Sequence, residues 1–133
     1  MAASATRREA RERALMLLYE AEAKTVTPSA LLDDLPVAPD DYTCTLLRGF
    51  ETNSCEVDNL IGRHAIGWAL ERMPAVDRAV LRVATFELLG CPDVPAGVVL
   101  SEAVELAGEY STDESARFVN GVLASVAAQV RGS

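Results

Sequence analysis

Arg7, Arg8 and Arg11 stand near the start of the chain, inside the run Thr6-Arg-Arg-Glu-Ala-Arg-Glu-Arg13. On a helix these three fall within an arc of about 100°. Their guanidinium forks suit bidentate contact with phosphate, and their flat faces stack on unpaired bases. Cations in the first turns of a helix oppose its macrodipole, so the placement asks for a reason, and a phosphate backbone supplies one. The competing reading is a solvated helix end whose arginines pair with nearby acids. Arg13 points away from the other three. A second group, Glu114-Ser-Ala-Arg117-Phe118-Val-Asn120-Gly121, sets a cation beside an aromatic ring. If exposed, Phe118 with Arg117 offers a stacking platform. The plainer reading puts Phe118 in the core and gives Asn120 a hydrogen bond between packed helices. Trp68 and Tyr42 read as packing residues.

Catalytic chemistry finds little support. His64 is the only histidine, and no nucleophile or acid forms a recognisable motif with it. The carboxylate pairs Glu102/Glu105 and Asp33/Asp34 read as solvated surface charge. A phosphate-binding Gly-Lys-Ser/Thr loop is missing. Cys44, Cys55 and Cys91 are odd in number and lack zinc-ligand spacing, which predicts free thiols in a reducing compartment. The expectation is therefore no catalytic residue, no metal and no cofactor.

Charge narrows the classes further. The chain carries 20 acids against 12 bases, a net of −8. Residues 1–13 hold four arginines against Glu9 and Glu12, a net of +2, which leaves −10 for the rest. An acidic body with a small basic patch is not a general polyanion binder, although it can bind nucleic acid locally. Its acidic faces suit a basic protein partner. With 133 residues, half of them hydrophobic, the chain reads as one globular domain over 1–133, with flexible ends at 1–6 and 132–133. The apolar runs are too short for a transmembrane helix or a signal peptide, so a soluble protein is expected.

The elements that must position these residues are helical throughout. Thr6 and Glu9 have capping-box spacing for a helix over about 7–23. Pro28 opens a short second helix that ends before Pro36. Asp40 or Asp41 caps a third, carrying Leu46, Leu47 and Phe50, with Thr52-Asn-Ser54 interrupting or bending it. Val57, Leu60 and Ile61 continue the pattern through Ile66 towards Trp68 and Leu70. Pro74 opens the next helix, with Val76, Val80, Leu81, Ala84 and Leu88 as its stripe. After the loop Gly90–Pro95 come Leu100, Ala103, Val104 and Ala107. Ser111 and Glu114 form a second capping-box candidate. The last helix runs through Asn120-Gly121, where close approach of another backbone is one compensation for the helical glycine. The total is six or seven helices with short connections, an all-α bundle.

At this point the sequence resembles the NusB family. The resemblance rests on Arg7-Arg8-Glu9-Ala10-Arg11-Glu12 leading into Leu17-Leu18-Tyr19, then Asp77–Ala84 followed by Phe86-Glu87-Leu88. Asp93-Val94-Pro95 with Ser101–Ala107 and Phe118–Leu123 complete it in order. It implies a compact fold of seven helices in two sub-bundles. It implies a cytoplasmic transcription antitermination factor, not an enzyme, that binds box A of nascent ribosomal RNA together with NusE. That pair joins RNA polymerase with other Nus factors. The resemblance places RNA contact at Arg7, Arg8 and Arg11, and also at Arg78, Arg117 and Phe118. Glu9 departs from the family's more basic pattern and lowers the charge of the patch. For the protein partner it suggests Glu71, Phe86 and Glu87. Some members self-associate, so a homodimer stays open, as does a helical interaction adaptor that binds no RNA.

Overall fold

The computed structural model describes residues 6–132, and what is expected of residues 1–5 and Ser133 lies outside them. Within this range seven α-helices follow one another: α1 (Arg7–Lys24), α2 (Pro28–Asp34), α3 (Asp41–Thr52), α4 (Ser54–His64), α5 (Ala75–Gly90), α6 (Ala96–Tyr110) and α7 (Asp113–Arg131). The architecture is all-α. Helices α1–α3 form one sub-bundle and α4–α7 the other, with α5 touching α1, α3, α4, α6 and α7.

Local chemistry sets the boundaries. The Thr6–Glu9 capping box is complete: the Glu9 amide donates to Thr6 Oγ1 at 3.0 Å and the Thr6 amide donates to Glu9 Oε1 at 2.9 Å. Asp40 caps α3 by accepting from the amides of Tyr42 and Thr43. The Thr52–Ser54 interruption is a real break: Asn53 ends α3 and precedes α4, and its Nδ2 donates to the Gly49 carbonyl at 2.8 Å. Two expectations are corrected. The fourth helix stops at His64, because Gly67 takes a φ of +83°, and Ile66 is 90% exposed. The cap of α7 is Thr112, which accepts from the Ser115 amide, because Ser111 sits outside the helical register.

Helix α5 explains the rest of the packing. Most of its residues are buried, including Asp77, Thr85, Phe86 and Glu87 besides Val80, Leu81, Ala84 and Leu88 of the predicted stripe, while Val76, Arg78 and Arg82 are half-buried. A helix buried over most of its circumference belongs at the centre of a domain. The Phe86 ring lies against Gly49 and Gly90, where a Cβ on either glycine would overlap it. Gly121 has no such neighbour within 4 Å, so close backbone approach is not what compensates that glycine.

Candidate nucleic-acid interface

The first turns of α1 carry the three arginines into three different environments. Arg11 points inward and is only 5% exposed. Its Nε lies 2.9 and 3.0 Å from the two carboxylate oxygens of Glu87, and a terminal nitrogen lies 2.7 Å from Oε2. Glu87 is 1% exposed, so the pair is desolvated and fully engaged. Burial opposes the charge on Arg11. The Glu87 hydrogen bonds and charge more than offset it and hold the guanidinium above its ordinary pKa. Arg11 is thus a buried tether between α1 and α5, and its expected place on the RNA-facing surface is corrected.

Glu87 has a third donor. Tyr42, on the first turn of α3, donates its hydroxyl to Oε2 at 2.6 Å. Burial pushes this hydroxyl well above the usual tyrosine range, and the bond to the carboxylate adds to that. Over the Tyr42 ring lies Arg7, its guanidinium carbon 3.7 Å from the ring centroid. Arg7 remains exposed, and among the described residues no carboxylate lies within 4 Å of it. Tyr42 therefore carries a surface cation, a role its position as an apparent packing residue did not signal.

Arg8 is also exposed, but it is held by acids from α6. One terminal nitrogen bonds Glu102 at 3.1 Å and Glu105, and the other lies 3.9 Å from Glu109. The hydrogen bond from Arg8 holds the Glu105 carboxyl below its ordinary range. These carboxylates are not free surface charge. They occupy the donors that a phosphate would use. Glu9 is spent in the capping box, where the Thr6 amide bond lowers its pKa, so it belongs to the helix end as much as to the patch.

The second expected group lies where α6 turns into α7. Phe118 is half-buried and Trp68 is 53% exposed, and their rings meet edge-to-face with centroids 6.1 Å apart. They border a cleft of about 310 Å³ with Met73, Pro74, Asp77 and Ser115. Arg117, the neighbour of Phe118 in the chain, is exposed. Asp77 is buried; its Oδ2 accepts from Ser115 Oγ at 2.8 Å, while Oδ1 has no partner. Trp68 is a surface ring and not the packing residue expected, and Gly67 before it was the signal, since it ends the helical periodicity. Asn120 is exposed and bridges no helices. Tyr110, at the end of α6, donates its hydroxyl to Glu12 of α1.

The remaining expected residues scatter. Arg78 donates from Nε to Glu22 at 2.6 Å and from a terminal nitrogen to the carbonyls of Leu70 and Met73. It is tied into the fold, not offered to solvent. Glu71 is exposed. Phe86 and Glu87 are buried at 6% and 1% exposure, so the expectation that they face a protein partner is corrected. Among large apolar side chains, Met16 and Tyr19 are nearly half exposed and border an apolar groove with Leu15, Val76 and Tyr110. No group of three His, Cys, Asp or Glu among the described residues could hold a metal ion. No described helix is long and apolar enough to cross a membrane.

The model of the NusB family matches residues 8–128. The transcription antitermination protein NusB of Kineococcus radiotolerans is 45% identical over 127 residues, which cover 92% of this chain and 93% of that protein. Its counterpart in Acidothermus cellulolyticus is 47% identical over 126 residues, covering 92% and 87%. A solved T. maritima NusB superposes with a TM-score of 0.83 at 35% identity, covering 94% of this chain and 92% of that one. A crystal structure of the antitermination factors NusB and NusE in complex with dsRNA matches with a TM-score of 0.80 at 25% identity, covering 92% and 96%.

Proposed function

The chain belongs to the NusB family, and from that premise we propose that it is a transcription antitermination factor that binds RNA jointly with NusE. It acts by binding, not by catalysis, and it works in the cytoplasm, where nascent box A RNA emerges from RNA polymerase. The observation that carries this reading is the match, over 92% of the chain, to antitermination factors solved together with RNA. The α1 surface supports it with two exposed guanidinium groups, Arg7 and Arg8. The Trp68–Phe118 pair with Arg117 is the second contact, suited to unstacked bases. The acidic body favours a basic partner, since the −10 of net charge outside residues 1–13 repels a polyanion beyond the patch. Met16 and Tyr19 offer that protein partner an apolar groove that buried Phe86 and Glu87 cannot.

The test is a titration of fluorescent box A RNA with and without the NusE-type protein, at two salt concentrations. An Arg7→Ala/Arg8→Ala variant runs beside the wild type. The expected result is salt-sensitive binding that the partner strengthens and the variant loses. A stable complex with the partner but no RNA binding would make the chain an adaptor whose arginines contact protein.

A further inference from the structure

Arg7 and Arg8 are neighbours on one helix, yet they are prepared differently for an anion. Arg8 has its donor edge engaged by Glu102 and Glu105, so a phosphate must displace carboxylates to reach it. Arg7 has its flat face covered by the Tyr42 ring. A cation–π contact uses the face of the guanidinium, whereas bidentate phosphate recognition uses its edge. Arg7 therefore keeps its partner when an anion arrives. An arginine side chain otherwise loses rotamer entropy when it is fixed in place. The Tyr42 ring removes part of that cost in advance.

The ring is itself held. Its hydroxyl donates to Glu87 at 2.6 Å, and Glu87 is clamped from the other side by three short bonds from Arg11. This gives Arg11 and Glu87, both buried, a connection to the surface. From Arg11 through Glu87 to Tyr42 and Arg7, each group touches the next, across α1, α5 and α3.

We infer that Tyr42 is a positioning residue for RNA: its ring fixes Arg7 at the surface, and the buried Arg11–Glu87 pair fixes the ring. The inference rests on the RNA-binding function proposed above. Arg11 then acts on RNA through this relay and never by contact.

A double-mutant cycle tests it, read by titrating box A RNA against the full chain with the NusE-type protein present. Tyr42→Leu is expected to weaken binding about two- to fivefold, the range of an exposed cation–π contact. Arg7→Ala is expected to weaken it more, and Tyr42→Leu placed on Arg7→Ala is expected to add nothing. Equal losses from Tyr42→Leu in both backgrounds would overturn the inference, since the ring would then act independently of Arg7. If Tyr42→Leu does not fold, Tyr42→Phe replaces it, removing only the bond to Glu87. It is expected to weaken binding about twofold when Arg7 is present and not when it is absent. Side-chain NMR supplies an RNA-free readout: the Arg7 methylene protons should lose their ring-current shift in Tyr42→Leu. Wild-type protein that binds no RNA overturns the proposed function and this inference together. RNA binding that Arg7→Ala weakens and Tyr42→Leu leaves unchanged overturns this inference alone.

Discussion

Replacing Arg11 with Ala leaves Glu87 buried with Tyr42 as its one remaining side-chain donor. An uncompensated buried charge costs about 3–5 kcal/mol, so Arg11→Ala is expected to lower stability by that order in urea unfolding. Arg8→Ala should leave the midpoint nearly unchanged, because exposed ion pairs contribute little. The reverse holds for the acids that engage Arg8. Glu105→Gln removes one competitor for the guanidinium and is expected to tighten RNA binding, by about two- to fivefold if the pair contributes what exposed pairs do. Unchanged affinity would mean that Arg8 takes no part in RNA contact. Glu22 carries a pH dependence. The hydrogen bond from Arg78 comes first and the charges of Arg78 and Arg82 follow; they outweigh desolvation and depress its pKa below the ordinary 4.5. A depressed carboxyl pKa stabilises the fold above the unfolded value and loses that contribution as pH falls through the folded value. The wild type should therefore melt higher than Glu22→Gln by a constant margin from pH 7 to about 5, and the margin should vanish at more acidic pH.

Two kinds of glycine occur in these helices, and substitution separates them. At Gly49 of α3 and Gly90 of α5 an added Cβ would overlap the Phe86 ring. Overpacking of this kind costs about 1–3 kcal/mol, so Gly49→Ala is expected to destabilise. Gly121 is exposed inside α7 with open space around it. Gly121→Ala should stabilise by up to about 1 kcal/mol, the ordinary helix preference for alanine. A paired urea titration of the two variants reads both signs at once. The turn after α5 is held by a different device. Arg131, in the last turn of α7, donates to the carbonyls of Leu88, Cys91 and Val94, clasping the end of α5 and the loop after it. The Gly90–Pro95 loop was visible from its punctuation. Its clasp was not, because Arg131 reaches it from 37 to 43 residues away.

Across the whole molecule, of the three α1 arginines expected at the RNA, Arg7 and Arg8 are exposed and Arg11 is buried. For single-stranded RNA each neutralised phosphate contributes about −0.7 to the log–log salt slope, so α1 alone predicts about −1.4 and not about −2. A slope near −2 for the isolated chain would mean that Arg117 or another cation joins the contact. The sequence by itself determined the helices apart from the end of α4, the cap at Thr6, the opening of α2 at Pro28 and the family, because capping, proline punctuation and 3.6-residue periodicity are local properties. It also marked Arg7, Arg8 and Phe118 by residue type. Only the tertiary structure decided which of the marked groups face solvent. Periodicity reports one buried stripe, and α5 at the centre of the bundle buries most of its circumference, so Phe86 and Glu87 looked available when they are not. Burial of Arg11 needed Glu87 from 76 residues away, and the seating of Arg7 needed a ring on α3. Such pairings depend on how helices distant in sequence come to lie side by side, which no local pattern encodes.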